Sequence, residues 1–483
     1  MRDDIIQERK KKLEALRAAG VDPYPTRVKR SASLDVVCRH FSEWAHQEKN
    51  LSLVGRVWGM RDQGNLIFLD IADGTGMLQG VLKKDNCRDF QMLKDCIDIG
   101  DFVELSGVLF LTKRGEQSIE AHTARIITKS LRPLPSAFYG IEDIETRLRK
   151  RYLDLALHKE VRDLFIKKEV FWHTFRDMLR KKGFLEVETP VLEPTPGGAE
   201  AEPFVTHHNA LDTDFYLRIS PELSLKRLLV GGYEKVFEIG RIFRNEGIDA
   251  EHLQDYTQLE FYWAYVDYRD LMKFLEAMYK SVVQATMGTL DTLWHGHTIH
   301  WGKKWDVVEY FSIVQEKIGL DLHTATIDDL RAKAAEYGIG LEDHMGRGRL
   351  IDVLFKKCIR PELVQPTFLI DPPVDIEPLA KRKPGDEQKV ERVQIVACGT
   401  ELGKGFSELN DPLDQRRRFE EQMNLRKQGD KEAQYFDEDF VEALAYGMPP
   451  AAGFGVSERL FSILVDKPVR ETVFFPLMRR KEN

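Results

Sequence analysis

The chain has 483 residues, 42% of them hydrophobic, 31% charged and 10% aromatic, which is the profile of a globular protein with enough apolar mass for two or three domains. Lys and Arg number 71 against 79 Asp and Glu, a formal charge of -8; this excludes a globally basic nucleic-acid binder, so any nucleic acid must be met by a local patch. Cys38, Cys87, Cys96, Cys358 and Cys398 form neither CxxC pairs nor an evenly spaced disulfide framework, a pattern that fits a reducing compartment.

At the N-terminus, MRDDIIQERKKK carries charge where a signal peptide needs an apolar core, and no later run approaches the ~18–20 apolar residues of a membrane span. A cytoplasmic protein without a membrane partner is expected. Residues 4–19 place Ile5, Leu13 and Leu16 among many charges and stop before Gly20, predicting a short, mostly polar helix. Residues 1–30 carry nine Lys/Arg against five Asp/Glu, a local positive excess that suits either a solvated helix or a phosphate backbone. Residues 1–50 read as a helical extension.

From Leu51 the pattern changes to short β-rich runs: LSLVGRVWGM, NLIFLDI, MLQGVL, DFVELSGVLFL and SIEAHTARII, separated by DQGN, DGTG and KRGE. Such strands with Gly and Asp at their turns predict a small closed barrel of OB-fold size over 51–135. Pattern alone does not choose between a nucleic-acid face and a purely structural barrel. Pro133 and Pro135 then introduce a linker, 136–158, with a basic cluster at Arg147, Arg149, Lys150 and Arg151.

Residues 159–483 read as one large domain. Its opening helix, about 159–182, spaces Val161, Leu164, Phe165, Phe171, Phe175, Met178 and Leu179 as a packing face and ends at Gly183. TPVLEP, DFYLRIS, KVFEIGRIFR, LEFYWAYV and RVQIVACGTEL read as strands, and 222–230, 268–287 and 412–429 as helices. Long β-runs with irregular helical insertions predict an α+β fold, a mostly antiparallel sheet flanked by helices. There is no GxGxxG after a strand and no GxxxxGK[ST], so ATP, if used, is not held by a dinucleotide fold or a P-loop.

Three clusters concentrate chemistry. In KVFEIGRIFRNEG, Phe237, Ile239 and Phe243 share one parity and Glu238 and Arg244 the other, which puts Arg244 at the mouth of a hairpin. In TQLEFYWAY, Leu259, Phe261, Trp263 and Tyr265 face one way and Glu260 and Tyr262 the other, a carboxylate and a phenol suited to a cationic ligand. In GTELGKGFSELND, Gly403 and Gly405 between Glu401 and Glu408 predict a bulge or tight turn that re-aims both carboxylates. PPAAGFGVSERLFSILV reads as a Gly-rich turn leading into an apolar helix, with Glu458 and Arg459 near its start.

The succession GFLEVETPVL, RIFRNEG, GFGVSERL resembles motifs 1, 2 and 3 of the class II aminoacyl-tRNA synthetases. Within that class the chain is similar from end to end to the bacterial lysyl-tRNA synthetases, through RYLDL, PGGA, THHNALD, LRISPELSLKRLLVGG, GFSELND and the PP-x-AG-x-G stretch from Pro449. The resemblance implies an OB-fold anticodon-binding domain followed by a class II catalytic domain at 159–483, working as a homodimer. It also implies the reaction: ATP and Mg²⁺ activate L-lysine to lysyl-adenylate, and the lysyl group passes to the 3′ end of tRNA(Lys). Matching positions imply Arg244 at the α-phosphate, Glu246 and Tyr256 at the adenine, His252 at the triphosphate and Arg459 at the γ-phosphate. Lysine would be held by Gly198, Glu222, Glu260, Tyr262, Lys404, Phe406 and Glu408, with Glu260 and Glu408 towards the ε-ammonium and Glu222 towards the α-amino group. Glu401 and Gln394 match the metal ligands, and Arg56, Phe68, Gln79 and Glu116 match the anticodon face. Parity leaves Phe68 either on that face or in the barrel core, since Ile67 and Leu69 compete for the inside.

Three positions depart from the family. Lys404 stands for an asparagine and either points away, pairs with Glu401 or signals an altered amino-acid choice. Gln394 stands for the first of two metal-ligating glutamates, and motif 3 is one residue short. Three other readings follow: an aspartyl- or asparaginyl-tRNA synthetase, against which the acidic pocket speaks; a paralogue that lysylates a protein, which usually lacks the barrel; and a non-catalytic regulator binding tRNA or lysine.

Overall fold

The computed structural model describes residues 2–135, 142–247, 252–342, 345–430 and 432–479. It divides into two compact units, 1–142 and 143–483. In the first, strands β1 (Leu51–Asp62), β2 (Leu66–Ala72), β3 (Met77–Lys83), β4 (Phe102–Leu111) and β5 (Gln117–Thr128) close a barrel in the order β1-β2-β3-β5-β4. Alternation sends Leu51, Leu53 and Val57 of β1 and Ile67, Leu69 and Ile71 of β2 inward. The first 50 residues are helical in part and pack on the barrel. Leu16, Leu34, Val37 and Phe41 are buried in the barrel's own core, and Arg9 donates to the carbonyls of Ile99, Ser130 and Arg132. The helix Arg2–Ala18 ends before Gly20, whose φ of 73° is the left-handed stop that glycine supplies.

The second unit begins earlier than the expected linker allows: residues 144–157 form two short helices, Ile144–Arg149 and Arg151–Leu157. They are tied down by Asp154, which takes Arg147 at 2.7 Å and Arg151 at 2.7 Å. Part of the basic cluster therefore neutralises a buried carboxylate. The main sheet has eight strands: β6 (Leu185–Glu186), β7 (Lys235–Phe243), β8 (Asp255–Ala264), β9 (Asp306–Glu309), β10 (Thr367–Ile370), β11 (Arg392–Ala397), β12 (Thr400–Ser407) and β13 (Ala451–Ser457). Their order is β9-β10-β11-β12-β13-β8-β7-β6. The six inner strands are antiparallel, and β9 and β6 add parallel pairs at the two ends.

One face of this sheet is sealed by the helices Lys159–Lys181 and Tyr268–Met287, whose Phe171, Phe175, Leu275 and Tyr279 pack on Phe237, Phe261, Ile395 and Phe454. The other face is only partly covered, by Glu222–Val230, Pro412–Lys427 and Glu438–Ala445, and it carries the site. Three expected elements differ. RVQIVACGTEL is a hairpin, β11 to β12, turning at Cys398 and Gly399, both at positive φ. TPVLEP contributes only Leu192–Glu193. The Gly-rich stretch 451–457 is the central strand β13, not a turn.

Candidate active site and the barrel face

Side chains on the open sheet face are set by register. Directly paired positions run Gln394, Lys404, Gly455, Glu260 and Glu238 across β11, β12, β13, β8 and β7, and a parallel row runs Phe406, Gly453, Tyr262 and Val236. Paired residues point to the same side, so Glu260 and Tyr262 face outward while Leu259 and Phe261 enter the core, as their alternation predicts. The glycines of β13 make the floor. A Cβ at Gly453 would lie 2.3 Å from the Tyr262 ring and 2.4 Å from Glu408, a distance no side chain tolerates. The resulting trough opens into a cavity of about 610 Å³.

The cavity is lined by Gly198, Glu222, Arg244, Glu246, His252, Tyr256, Glu260, Tyr262, Glu401, Lys404, Phe406, Glu408 and Arg459. Every residue expected at ATP or lysine thus meets in one place, while Gln394, expected as a metal ligand, lines an adjoining cavity. The expected bulge is present: the β11–β12 register slips between Ile395 and Val396, which turns Glu401 to the cavity.

At one end stand three carboxylates. Glu222 opens the helix Glu222–Val230 and takes the ammonium of Lys226 at 2.5 Å, one turn on. Lys226 is fully buried and also pairs with Glu408, and the ring of Phe406 lies 5.2 Å from its ammonium. Among the described residues Glu260 has no salt-bridge partner. It accepts from Ser220 at 2.7 Å, Gln258 at 2.5 Å and Tyr262 at 3.0 Å, all neutral donors. Burial, with the charge of Glu222 beside it, pushes the Glu260 carboxyl up to about 7. Burial also raises the carboxyls of Glu222 and Glu408, while those two hold the Lys226 ammonium above its ordinary value against burial. Lys226 lies inside LRISPELSLKRL yet was not among the expected site residues; its only local signal is an ordinary i,i+4 spacing from Glu222.

Arg244 leaves β7, its backbone N–H donating to the Gln254 carbonyl at 2.8 Å. Its guanidinium donates to the Ile219 carbonyl at 3.5 Å and lies 5.6 Å from the Tyr256 ring centre. Its Nε is buried and has no hydrogen-bond partner among the described residues, an orphan donor of the kind a phosphate satisfies. Arg459 starts the helix Arg459–Leu464 directly after β13. Glu238, by contrast, is structural: it is buried against Arg218 at 2.6 Å and accepts from Thr189. Glu458 likewise takes Lys168 and the Thr257 N–H.

The Glu401 wall differs from the expected ligand pair. Gln394 takes Arg392 on its amide oxygen at 2.9 Å and donates its N–H to Glu401, so it presents a donor where a metal needs oxygen. Among the described residues no three His, Cys, Asp or Glu side chains are arranged to hold a metal ion. Burial would raise Glu401, but Lys404, Arg392 and Arg459 hold it below its ordinary value. Lys404 pairs with Glu377 at 3.0 Å, not with Glu401, and burial of its ammonium is outweighed by Glu377 and Glu401, which raise its pKa.

In the barrel, the parity of Phe68 is resolved. Ile67 and Leu69 fill the core, and Phe68 is half-buried on the outer face, with Arg61 paired opposite and 5.9 Å from its ring. Asp70 and Gln79 pair on that same face, and Gln79 reaches Glu116 at 2.9 Å. Arg56 lies on the outer side of β1, 4.6 Å from the Phe102 ring.

A family model described as tRNA synthetases class II (D, K and N) matches residues 143–479, and one described as an OB-fold nucleic acid binding domain matches residues 51–127. The lysine–tRNA ligase of Moorella thermoacetica is 44% identical over 485 residues, covering 100% of this chain and 99% of that protein. That of Roseiflexus castenholzii is 42% identical with 99% of each chain covered. That of Halalkalibacterium halodurans is 41% identical over 100% of this chain and 98% of the relative.

Proposed function

The chain belongs to the lysine–tRNA ligases of the class II tRNA synthetases, and from that premise we propose that the cavity joins L-lysine to ATP and passes the lysyl group to tRNA(Lys). The observation that carries the substrate is charge. Glu222 and Glu408 share a single buried ammonium, Lys226, and Glu260 lines the same cavity as both carboxylates, so these four groups carry an excess of two negative charges when all are ionised. Lysine brings two ammonium groups. An acidic substrate would meet repulsion here, which disfavours aspartate. Glu260, without a salt-bridge partner among the described residues, is assigned to the ε-ammonium together with Glu408, and Glu222 to the α-amino group.

In the first step a lysine carboxylate oxygen attacks the α-phosphorus and pyrophosphate leaves; in the second a ribose hydroxyl of the tRNA end attacks the carbonyl carbon and AMP leaves. Neither needs a protein nucleophile, so the residues position and neutralise. Arg244 with its buried Nε grips the α-phosphate, Tyr256 stacks the adenine beside Glu246, and His252 and Arg459 take the outer phosphates. Glu401 would hold the Mg²⁺ carried by the nucleotide, an ion that would supply charge neutralisation for the leaving pyrophosphate. Gln394, a donor on that wall, does not fit the ligand role. The working unit is taken as a cytoplasmic homodimer, and no helix among the described residues is long and apolar enough to cross a membrane.

Amino-acid-dependent exchange of pyrophosphate into ATP, run with each of the twenty amino acids and followed by tRNA charging, tests the assignment. Exchange with lysine alone is expected. Exchange with aspartate or asparagine would overturn the substrate, and none at all would favour a binding protein without catalysis. For the barrel, Phe68→Ala is expected to lower kcat/KM for tRNA in charging by about tenfold, since stacking of a base on an aromatic ring is worth about 1–3 kcal/mol. Pyrophosphate exchange should stay unchanged, and charging equal to the parent's at limiting tRNA would remove Phe68 from the anticodon face.

A further inference from the structure

The Glu401 wall carries its own positive charge. Lys404 sits opposite Gln394 and two strands from Glu260. One of its N–H groups goes to Glu377, and 45% of its side chain stays open to the cavity it lines. Gln394 is locked from both ends, its oxygen on Arg392 and its N–H on Glu401. Flipping the amide would set N–H against guanidinium and oxygen against carboxylate, so the partners fix its orientation. Arg392 is itself anchored at 2.8 Å on Glu377, which is buried. A hard divalent ion is held by anionic oxygens, from carboxylates and phosphates together. Here the protein offers one carboxylate, already covered by an amide N–H, with a fixed ammonium beside it.

We propose that the Lys404 ammonium is a tethered counter-charge for the bound triphosphate, standing in for one divalent cation, and that Gln394 keeps Glu401 engaged so that no second ion is recruited there. This rests on the ATP-dependent reading above. Arg392 and Glu377 are then positioning residues that hold the amide and the ammonium.

The test counts ions and measures nucleotide binding separately. Mn²⁺ bound per protein is measured by electron paramagnetic resonance with saturating β,γ-methylene-ATP, for the parent and for the double variant Gln394→Glu/Lys404→Asn. The double variant is expected to hold about one more Mn²⁺ per nucleotide than the parent; equal counts would overturn the proposal. In EDTA, the parent is expected to keep measurable affinity for the analogue and Lys404→Met to lose about tenfold, the order of one charge-assisted phosphate contact. Equal affinity of Lys404→Met and parent in EDTA would also overturn it. Absence of any nucleotide binding, with or without Mn²⁺, would instead remove the ATP reading on which the proposal depends.

Discussion

Glu260→Gln is expected to raise the lysine KM of pyrophosphate exchange by roughly two orders of magnitude, while the ATP KM moves by less than about threefold. The size follows from the surroundings: removing one partner of a buried charge pair costs about 2–5 kcal/mol, and Glu260 is buried with neutral donors, Ser220, Gln258 and Tyr262, as its hydrogen-bond partners. Glutamine keeps the volume and one acceptor, so the change is electrostatic. A pH signature accompanies it. In the empty site the Glu260 carboxyl is pushed up to about 7 by burial and Glu222. Lysine binds the ionised form, so below about pH 7 binding must expel a proton, and the parent's lysine KM rises as pH falls, by up to tenfold per unit. The Gln variant has no such group and its lysine KM is expected to lose that limb. Stability runs the same way for a different reason. The folded state binds this proton more tightly than the unfolded chain, so the empty protein loses stability as pH rises from about 4.5 to about 7, and saturating lysine should restore it. An unchanged lysine KM, or a parental pH profile in the variant, would remove Glu260 from the ammonium site.

The outward pairing of Glu260 and Tyr262 was readable because strict alternation in 259–263 divides one apolar face from one polar face, and a half-covered sheet obeys that rule. The same rule misreads Glu238, which shares Arg244's parity but is consumed by Arg218. Its partner is brought by tertiary packing, and nothing local reports it. β13 escaped recognition since Gly453 and Gly455 argue against a strand on propensity, although the trough demands residues without side chains there. The packing of the N-terminal 50 residues was not legible for want of a long apolar stripe; Leu34, Val37 and Phe41 lie on two six-residue helices, too short for periodicity to register. The orientation of Gln394 depends on Arg392, two residues away on the same strand, and the identity of an amide says nothing of which end it turns inward.

Lys226→Met is expected to be the most destabilising single change at the site. The ammonium is fully buried, 2.5 Å from Glu222 and paired with Glu408, so methionine removes the counter-charge from two carboxylates in a dry pocket. Breaking a buried pair in this way costs about 3–5 kcal/mol, a fall in Tm of roughly 5–15 °C for a domain of this size. Both carboxyls are already raised by burial, and without Lys226 they escape the penalty only by taking up protons the unfolded chain does not hold. The loss measured by calorimetry should therefore grow as pH rises above the ordinary carboxylate range near 4.3, opposite to a simple cavity, whose cost is independent of pH. Neutralising the whole group separates packing from purpose. Glu222→Gln/Lys226→Met/Glu408→Gln removes the ammonium together with both carboxylates paired to it and is expected to recover most of the lost Tm, since well-packed neutral replacements of a buried ion cluster are often no less stable. Lysine binding should not return with it, because the excess falls from two negative charges to the one on Glu260, and the carboxylates assigned beside it to the two ammonium groups of lysine are gone. A triple variant that regained lysine affinity along with Tm would show that Lys226 and its two partners serve packing alone, and a single variant with parental Tm at every pH would show that the ammonium is dispensable.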